Sequence, residues 1–239
     1  MNDILIHALI AGLGTCLGAA MVMLLGQMKE WLLAFLLGLA SGVMSAVVMA
    51  DLLPTSLTHG GPGICLLGFA GGFLMVTGLD HWLAKLMPGR QTSQVYLRMG
   101  YLIALGIALH DLPEGIAIAA GYSASAQLGP LLALAIGLHN IPEGMATAAP
   151  LRASGMGGGQ VIAINAMISL VTPLGTLLGL CLLQAAPAIN ALLLALAAGA
   201  MIFIVAEKLV PASLGNHGIF ALGGMAAGFV FMLRVNSLF

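Results

Sequence analysis

Apolar positions run through this chain in long stretches, and polar positions gather into short breaks between them. The breaks fall at 27–30, 59–62, 88–98, 123–129, 152–159, 185–187 and 211–217. Most hold Gly, Pro or charged residues, which end or interrupt helices. A helix needs roughly 20 mostly apolar residues to cross a bilayer. The stretches between breaks therefore predict eight helices, at 4–26, 31–56, 63–87, 99–121, 128–150, 159–184, 188–210 and 217–235. The first is too long for the apolar part of a signal peptide and reads as a retained span. The connections are short, which predicts a single transmembrane domain over 1–239 with no soluble unit.

Composition sharpens this to an all-α polytopic membrane protein. Hydrophobic residues make up 61% of the chain and charged residues 6%, with mean hydropathy +1.11. Soluble domains carry about 25% charged residues, so lipid must be the solvent for most of this surface. Seven Lys and Arg, scattered along the chain, offer no basic face for nucleic acid. Their placement is informative. Lys29, Lys85, Arg90, Arg98, Arg152 and Lys208 fall on one side of the predicted layout, and only Arg234 on the other. Cations mark the cytoplasmic face, which predicts both termini outside the cytoplasm. Cys16, Cys65 and Cys181 lie in apolar runs without CxxC spacing and read as small hydrophobes.

Two internal repeats emerge. Ile107-Ala-Leu-His110-Asp111-Leu-Pro113-Glu114-Gly115 matches Ile136-Gly-Leu-His139-Asn140-Ile-Pro142-Glu143-Gly144. The copies lie on consecutive predicted spans, the fourth and fifth, which must point opposite ways. Gly42-x-Met44 followed by Asp51-Leu-Leu-Pro54 likewise matches Gly199-x-Met201 followed by Lys208-Leu-Val-Pro211, on the second and seventh spans. Together they predict a 3+2+3 arrangement with the outer triplets inverted about the central pair. Inverted repeats with a midplane site between them are a recurring transporter plan.

The central pair carries the chemistry. Ionisable residues at membrane depth are costly and functional by default. His110 and Glu114 share one helical face, as do His139 and Glu143. Two such faces in contact offer two imidazoles and two carboxylates, a donor set suited to Zn²⁺, Fe²⁺, Mn²⁺ or Co²⁺. Asp111 and Asn140, one position round each helix, can join Glu114 and Glu143 in a second site. Pro113 and Pro142 each remove a backbone hydrogen bond, freeing the Leu109 and Leu138 carbonyls. Gly115 and Gly144 permit close helix approach.

On these residues the chain resembles the ZIP (ZRT/IRT-like) metal transporters, in particular their bacterial GufA-type branch, over nearly its whole length. The resemblance implies transport of zinc and related divalent metals towards the cytoplasm, across the cell membrane or the inner membrane of a two-membrane bacterium. It implies a substrate site on His110, Glu114, His139 and Glu143, with Met44 as a soft ligand, and an adjacent site on Asp111, Glu114, Asn140 and Glu143. It also implies spans 1, 4, 5 and 6 sliding against a scaffold of 2, 3, 7 and 8, with a homodimer as the associated assembly. The metal is cargo, and no catalytic cofactor is expected.

Two positions depart from the branch. Thr172 stands where a glutamate usually precedes the Pro-Leu-Gly stretch, which takes a carboxylate from the second site; Asn165, Ser169 and Thr172 still form a polar stripe. Lys208 stands where an acid usually precedes the helix-7 proline. A cation there should weaken an exit site on Asp80, His81 and Glu207, or act as a positive-inside anchor. Asp51, on the face of Met44, either guides metal at the outer entrance or caps its helix. Leu132 and Ile136 are candidates for an outer hydrophobic gate, and His7, His59 and His217 read as surface histidines. The competing function is an intramembrane metal-dependent enzyme, which needs a general base and an open coordination position. The chain has no His-Glu-x-x-His motif.

Overall fold

The computed structural model describes residues 2–26, 29–89, 91–124, 127–182 and 187–237. Arg90 and positions 183–186 of the sixth predicted span and its following break lie outside the described residues. The described chain is helical: α1 (Asn2–Leu24), α2 (Glu30–Val47), α3 (Leu53–Leu86), α4 (Thr92–Ala124), α5 (Leu128–Ala153), α6 (Gly158–Ser169), α7 (Val171–Leu182), α8 (Pro187–Ile204) and α9 (Val210–Asn236). Among the described residues, five stretches are long and apolar enough to cross a membrane: Asn2–Leu24, Glu30–Leu86, Thr92–Ser123, Gly158–Cys181 and Ala188–Asn236. Leu66, Leu67, Leu74 and Ile219 stand fully outward on this surface, as lipid contact requires.

Two of those stretches are of double length, and each holds the same two irregularities. A π turn at Val48–Leu52 joins α2 to α3, and another at Val205–Leu209 joins α8 to α9. Prolines explain them. Pro54 and Pro211 have no N–H to continue the α ladder, and Leu53 and Val210 instead donate to Val48 O and Val205 O, five residues back. Further on, Gly61 (φ 72°, ψ 174°) turns the chain inside α3, and His217 (φ −163°, ψ 101°) turns it inside α9. The positive φ at Gly61 favours glycine.

Two boundaries differ from the sequence expectation. Helix α4 begins at Thr92 rather than 99, because Gln91 O accepts from the Gln94 and Val95 amides and starts the helix inside the polar segment. The predicted sixth span is broken at Leu170 into α6 and α7. Pro173 cannot donate to Ser169 O, so the ladder lapses there. That carbonyl instead packs against α1, where a Cβ on Gly12 would lie 2.1 Å from it.

Close backbone contacts at glycines sort the helices into two groups. In one, α2 packs on α9 and α3 on α8; in the other, α1 packs on α5 and α4 on α7. The first group's contacts come in matching pairs. A Cβ on Gly42 would lie 2.1 Å from Met225 O, and one on Gly199 2.0 Å from Phe69 O. The same holds for Gly228 against Leu39 O (2.1 Å) and Gly72 against Leu196 O (1.9 Å). In the second group, Gly144 meets Thr15 O (2.0 Å) as Gly115 meets Thr172 O (2.1 Å). Without side chains at these positions the helices approach to backbone contact, the usual basis of membrane helix packing. The groups join through α4 against α8 and α5 against α2.

Candidate metal site

The site lies between α4 and α5, which remain single helices across Pro113 and Pro142. Glu114 and Glu143 each precede the glycine that holds its helix against a neighbour, so close packing of Gly115 and Gly144 fixes where the carboxylates sit. His110, Asp111, Glu114, His139, Asn140 and Glu143 are all buried. The Nε2 atoms of His110 and His139 both lie 2.7 Å from Oε1 of Glu114. His139 donates a hydrogen bond there, while His110 sits off the line a hydrogen bond needs. His110 Nε2 is also 3.5 Å from Glu143 Oε1, and the two rings are 6.2 Å apart.

These donors fall into two overlapping groups, each with its ligand atoms within 4.8 Å of one another. One is His110, Glu114 and His139; the other is His110, Asp111 and Glu143. Five of the predicted residues thus meet, with Glu143 grouped with His110 and Asp111 rather than with His139. Asn140 lies beside them and donates through Nδ2 to Ala11 O of α1 at 3.1 Å. Thr172 is buried with its hydroxyl facing Asp111, without hydrogen-bond geometry. Asn165 donates to Val161 O and Ser169 to Ala166 O, within their own helix.

Much of the polar capacity here is unspent. Both oxygens of Asp111 and of Glu143, Oε2 of Glu114, Oδ1 of Asn140 and Nδ1 of both histidines are buried without a hydrogen bond. Unpaired buried polar groups cost on the order of 1–3 kcal/mol each, and buried carboxylates more. A divalent cation neutralises the carboxylates and takes up these acceptors together, so nitrogen and oxygen donors of this kind fit a first-row metal.

A cavity of about 410 Å³ leads to the cluster. Glu114 and His139 line it together with Leu132, Ile136, Asp51, Thr55, His59 and Leu128. Asp51 lies in the first π turn, and Asn236 Nδ2 donates to its Oδ2 at 3.2 Å. His59 is exposed, as a surface histidine is, and also lines the cavity; its Nδ1 contacts Thr55 O at 2.9 Å. Asn236 was not singled out by sequence; its contact with Asp51 joins distant segments. His7 meets the Tyr122 hydroxyl, and His217 packs on Phe220. Met44 is fully buried in the apolar core with Val47, Ile107 and Met145.

The second group of path residues is not assembled as a site. Lys208 Nζ pairs with Asp80 Oδ2 at 2.6 Å. His81 Nδ1 faces Thr77 O at 2.9 Å, and Glu207 is exposed. Cys16, Cys65 and Cys181 are free; Cys65 is buried and Cys181 exposed.

Comparison with known proteins places this geometry in a family. The ZIP Zinc transporter family profile matches residues 89–236. A protein named zinc transporter ZupT from Chlorobium phaeovibrioides is 32% identical, with 97% of both chains covered. Zinc transporters ZupT from Corynebacterium glutamicum (31%, 94% of each chain) and Streptococcus mutans (29%, 93% of this chain and 92% of the relative) match over similar lengths. On the paired His/Glu motifs, the full-length similarity and the apolar helices, this chain is a multi-pass membrane protein and belongs to the ZIP zinc transporter family.

Proposed function

We propose that this chain moves divalent transition-metal cations, zinc foremost, across the cell membrane into the cytoplasm. The observation that carries the reading is the convergence of two buried histidines on one Glu114 oxygen beside a cavity. The first contact for the cargo is His110, Glu114 and His139, with Glu143 and Asp111 in the adjoining group. Thr172 leaves that second group short of a carboxylate, so metal binds first at the histidine pair. Met44, buried in the apolar core, is the proposed soft contact on passage.

The proposed layout is eight spans in a 3+2+3 inverted repeat, forming one domain with both termini outside. Matching π turns, matching turns at Gly61 and His217, and matching glycine contacts support it. A double-length stretch such as Glu30–Leu86 is about 85 Å long at 1.5 Å per residue, more than twice a bilayer core of about 30 Å, so two spans each is the natural division. The group of α1, α4, α5, α6 and α7 shifts against that of α2, α3, α8 and α9, with Leu132 and Ile136 closing above the site, and the assembly is a homodimer in lipid. The alternative of a metal-dependent hydrolase lacks support from the family, whose members are transporters.

The test is metal uptake by vesicles holding the purified chain. Zinc should accumulate with saturation and compete with Fe²⁺, Mn²⁺ and Cd²⁺. Absence of uptake of any of these ions contradicts the reading.

A further inference from the structure

The side-chain hydrogen bonds that join different helices sort by helix group. Within the group of α2, α3, α8 and α9, Ser56 donates to Ala191 O, Lys208 to Asp80 and Asn236 to Asp51. Within the group of α1, α4, α5, α6 and α7, Tyr122 meets His7, Asn140 donates to Ala11 O and Thr176 to Gly115 O. Among the described residues, one such pair crosses from group to group. The Tyr96 hydroxyl on α4 lies 2.8 Å from Nδ2 and 3.1 Å from Oδ1 of Asn216 on α9. Asn216 precedes the turn at His217, and its Nδ2 also donates to Ala212 O at 2.7 Å, which holds the amide in place for Tyr96.

That pair sits on the side of the metal site that the cavity does not reach. Among the described residues, the cavity is lined on α4 from Glu114 onward and on α5 only up to His139. Tyr96 stands near the start of α4, about 21 Å before His110 at 1.5 Å per residue. The start of α4 runs beside the end of α5, where a Cβ on Gly100 would lie 3.2 Å from Leu151 N. Between Tyr96 and the site, Ile103 and Ile107 of α4 and Met145 and Ala148 of α5 are buried. The two groups touch there, since a Cβ on Gly106 would lie 2.1 Å from Cδ1 of Ile204 on α8. Apolar contacts between helices gain little over contacts with lipid, so a polar pair adds a directional tie that packing lacks. Tyr96 and Asn216 are both half-buried. Their bond competes with water and is worth about a two- to tenfold shift in an equilibrium, a bias and not a permanent lock.

We propose that the Tyr96–Asn216 hydrogen bond is a latch between the two helix groups, holding closed the side away from the cavity. Breaking it lets α4 part from α8 and α9 on that side, and the groups close over the cavity in exchange. The exchange of one opening for the other rests on the transport reading; the hold on the closed side is read by labelling alone.

The experiment uses the full chain, purified in detergent, without its native cysteines and with one reporter cysteine. Ile204→Cys reports on the closed side and Ile136→Cys on the cavity. The initial rate of reaction with a water-soluble thiol reagent is compared with and without the latch. Tyr96→Phe and Asn216→Ala should each speed labelling at Ile204→Cys about two- to tenfold and slow it at Ile136→Cys. The double variant should be no faster than the faster single, because the two side chains act as one pair. Unchanged labelling at Ile204→Cys in both single variants overturns the latch. A rise at both reporters together, which is general loosening, overturns it as well, and so does a double variant whose effect is the product of the singles. A rise at Ile204→Cys with no change at Ile136→Cys keeps the latch and overturns the exchange. If vesicles with wild type take up no zinc while the closed side still responds to both single variants, the transport reading fails and the latch stands.

Discussion

His139 Nε2, on α5, lies 2.7 Å from Oε1 of Glu114, on α4. This contact joins the two copies of the motif across the helix interface, and His110 reaches the same oxygen from Glu114's own helix. Glu114 is therefore the shared carboxylate of the site. Replacing it with Gln keeps its size and removes its charge. Zinc affinity should fall at least about tenfold, or ~1.4 kcal/mol, in calorimetric titration of the purified chain. An unchanged affinity would move the primary site elsewhere.

Thr172 faces Asp111 in the adjoining group of His110, Asp111 and Glu143. Supplying a carboxylate there should complete a second site. Thr172→Glu is expected to bind one more zinc than wild type by metal analysis after gel filtration, whereas Thr172→Ala should not change the count.

Gly144 holds α5 against α1, where a Cβ would meet Thr15 O at 2.0 Å. Gly144→Ala should force the helices apart and cost about 1–3 kcal/mol, the usual cost of overpacking. A lower midpoint of thermal unfolding in detergent would report it. Gly71 has open space around it, so Gly71→Ala should leave the midpoint where it is.

The cavity reaches Glu114 and His139 of the site. Ile136 lines it, while Ile103 on α4 is fully buried in the core. In a background without the native cysteines, Ile136→Cys should react with a water-soluble thiol reagent, more slowly once zinc is added. Ile103→Cys should stay unreacted under the same conditions. Equal labelling of the two would contradict a cavity that admits water to Ile136.

The twin motif was legible in sequence because its signal is local. His110 with Glu114 and His139 with Glu143 announce their shared faces by spacing alone. Asp111 with Glu143 was expected in the second site; that His110 joins them was not legible, since it depends on how α4 and α5 rotate against each other, which the glycine contacts to α7 and α1 set. Pro54 and Pro211 stood in the sequence as matching positions of the outer repeat, without showing that a π turn precedes each. Likewise, Pro173 marked the break at Leu170 only once Ser169 O was seen packed against Gly12. His59 and Asn236 joined the cavity and the Asp51 pair through contacts between distant segments, which hydropathy does not encode. Lys208 stood out at once as a cation where an acid is usual; its partner Asp80 came from the packing of α3 on α8.

The central claim is that cargo passes through the histidine pair and its shared carboxylate. The most direct measurement is the initial rate of zinc entry into vesicles containing wild type or the double variant His139→Ala with Glu143→Ala, at equal reconstituted protein. The account predicts saturable uptake by wild type and a rate at the level of protein-free vesicles for the variant. Uptake by the variant equal to that of wild type would contradict it.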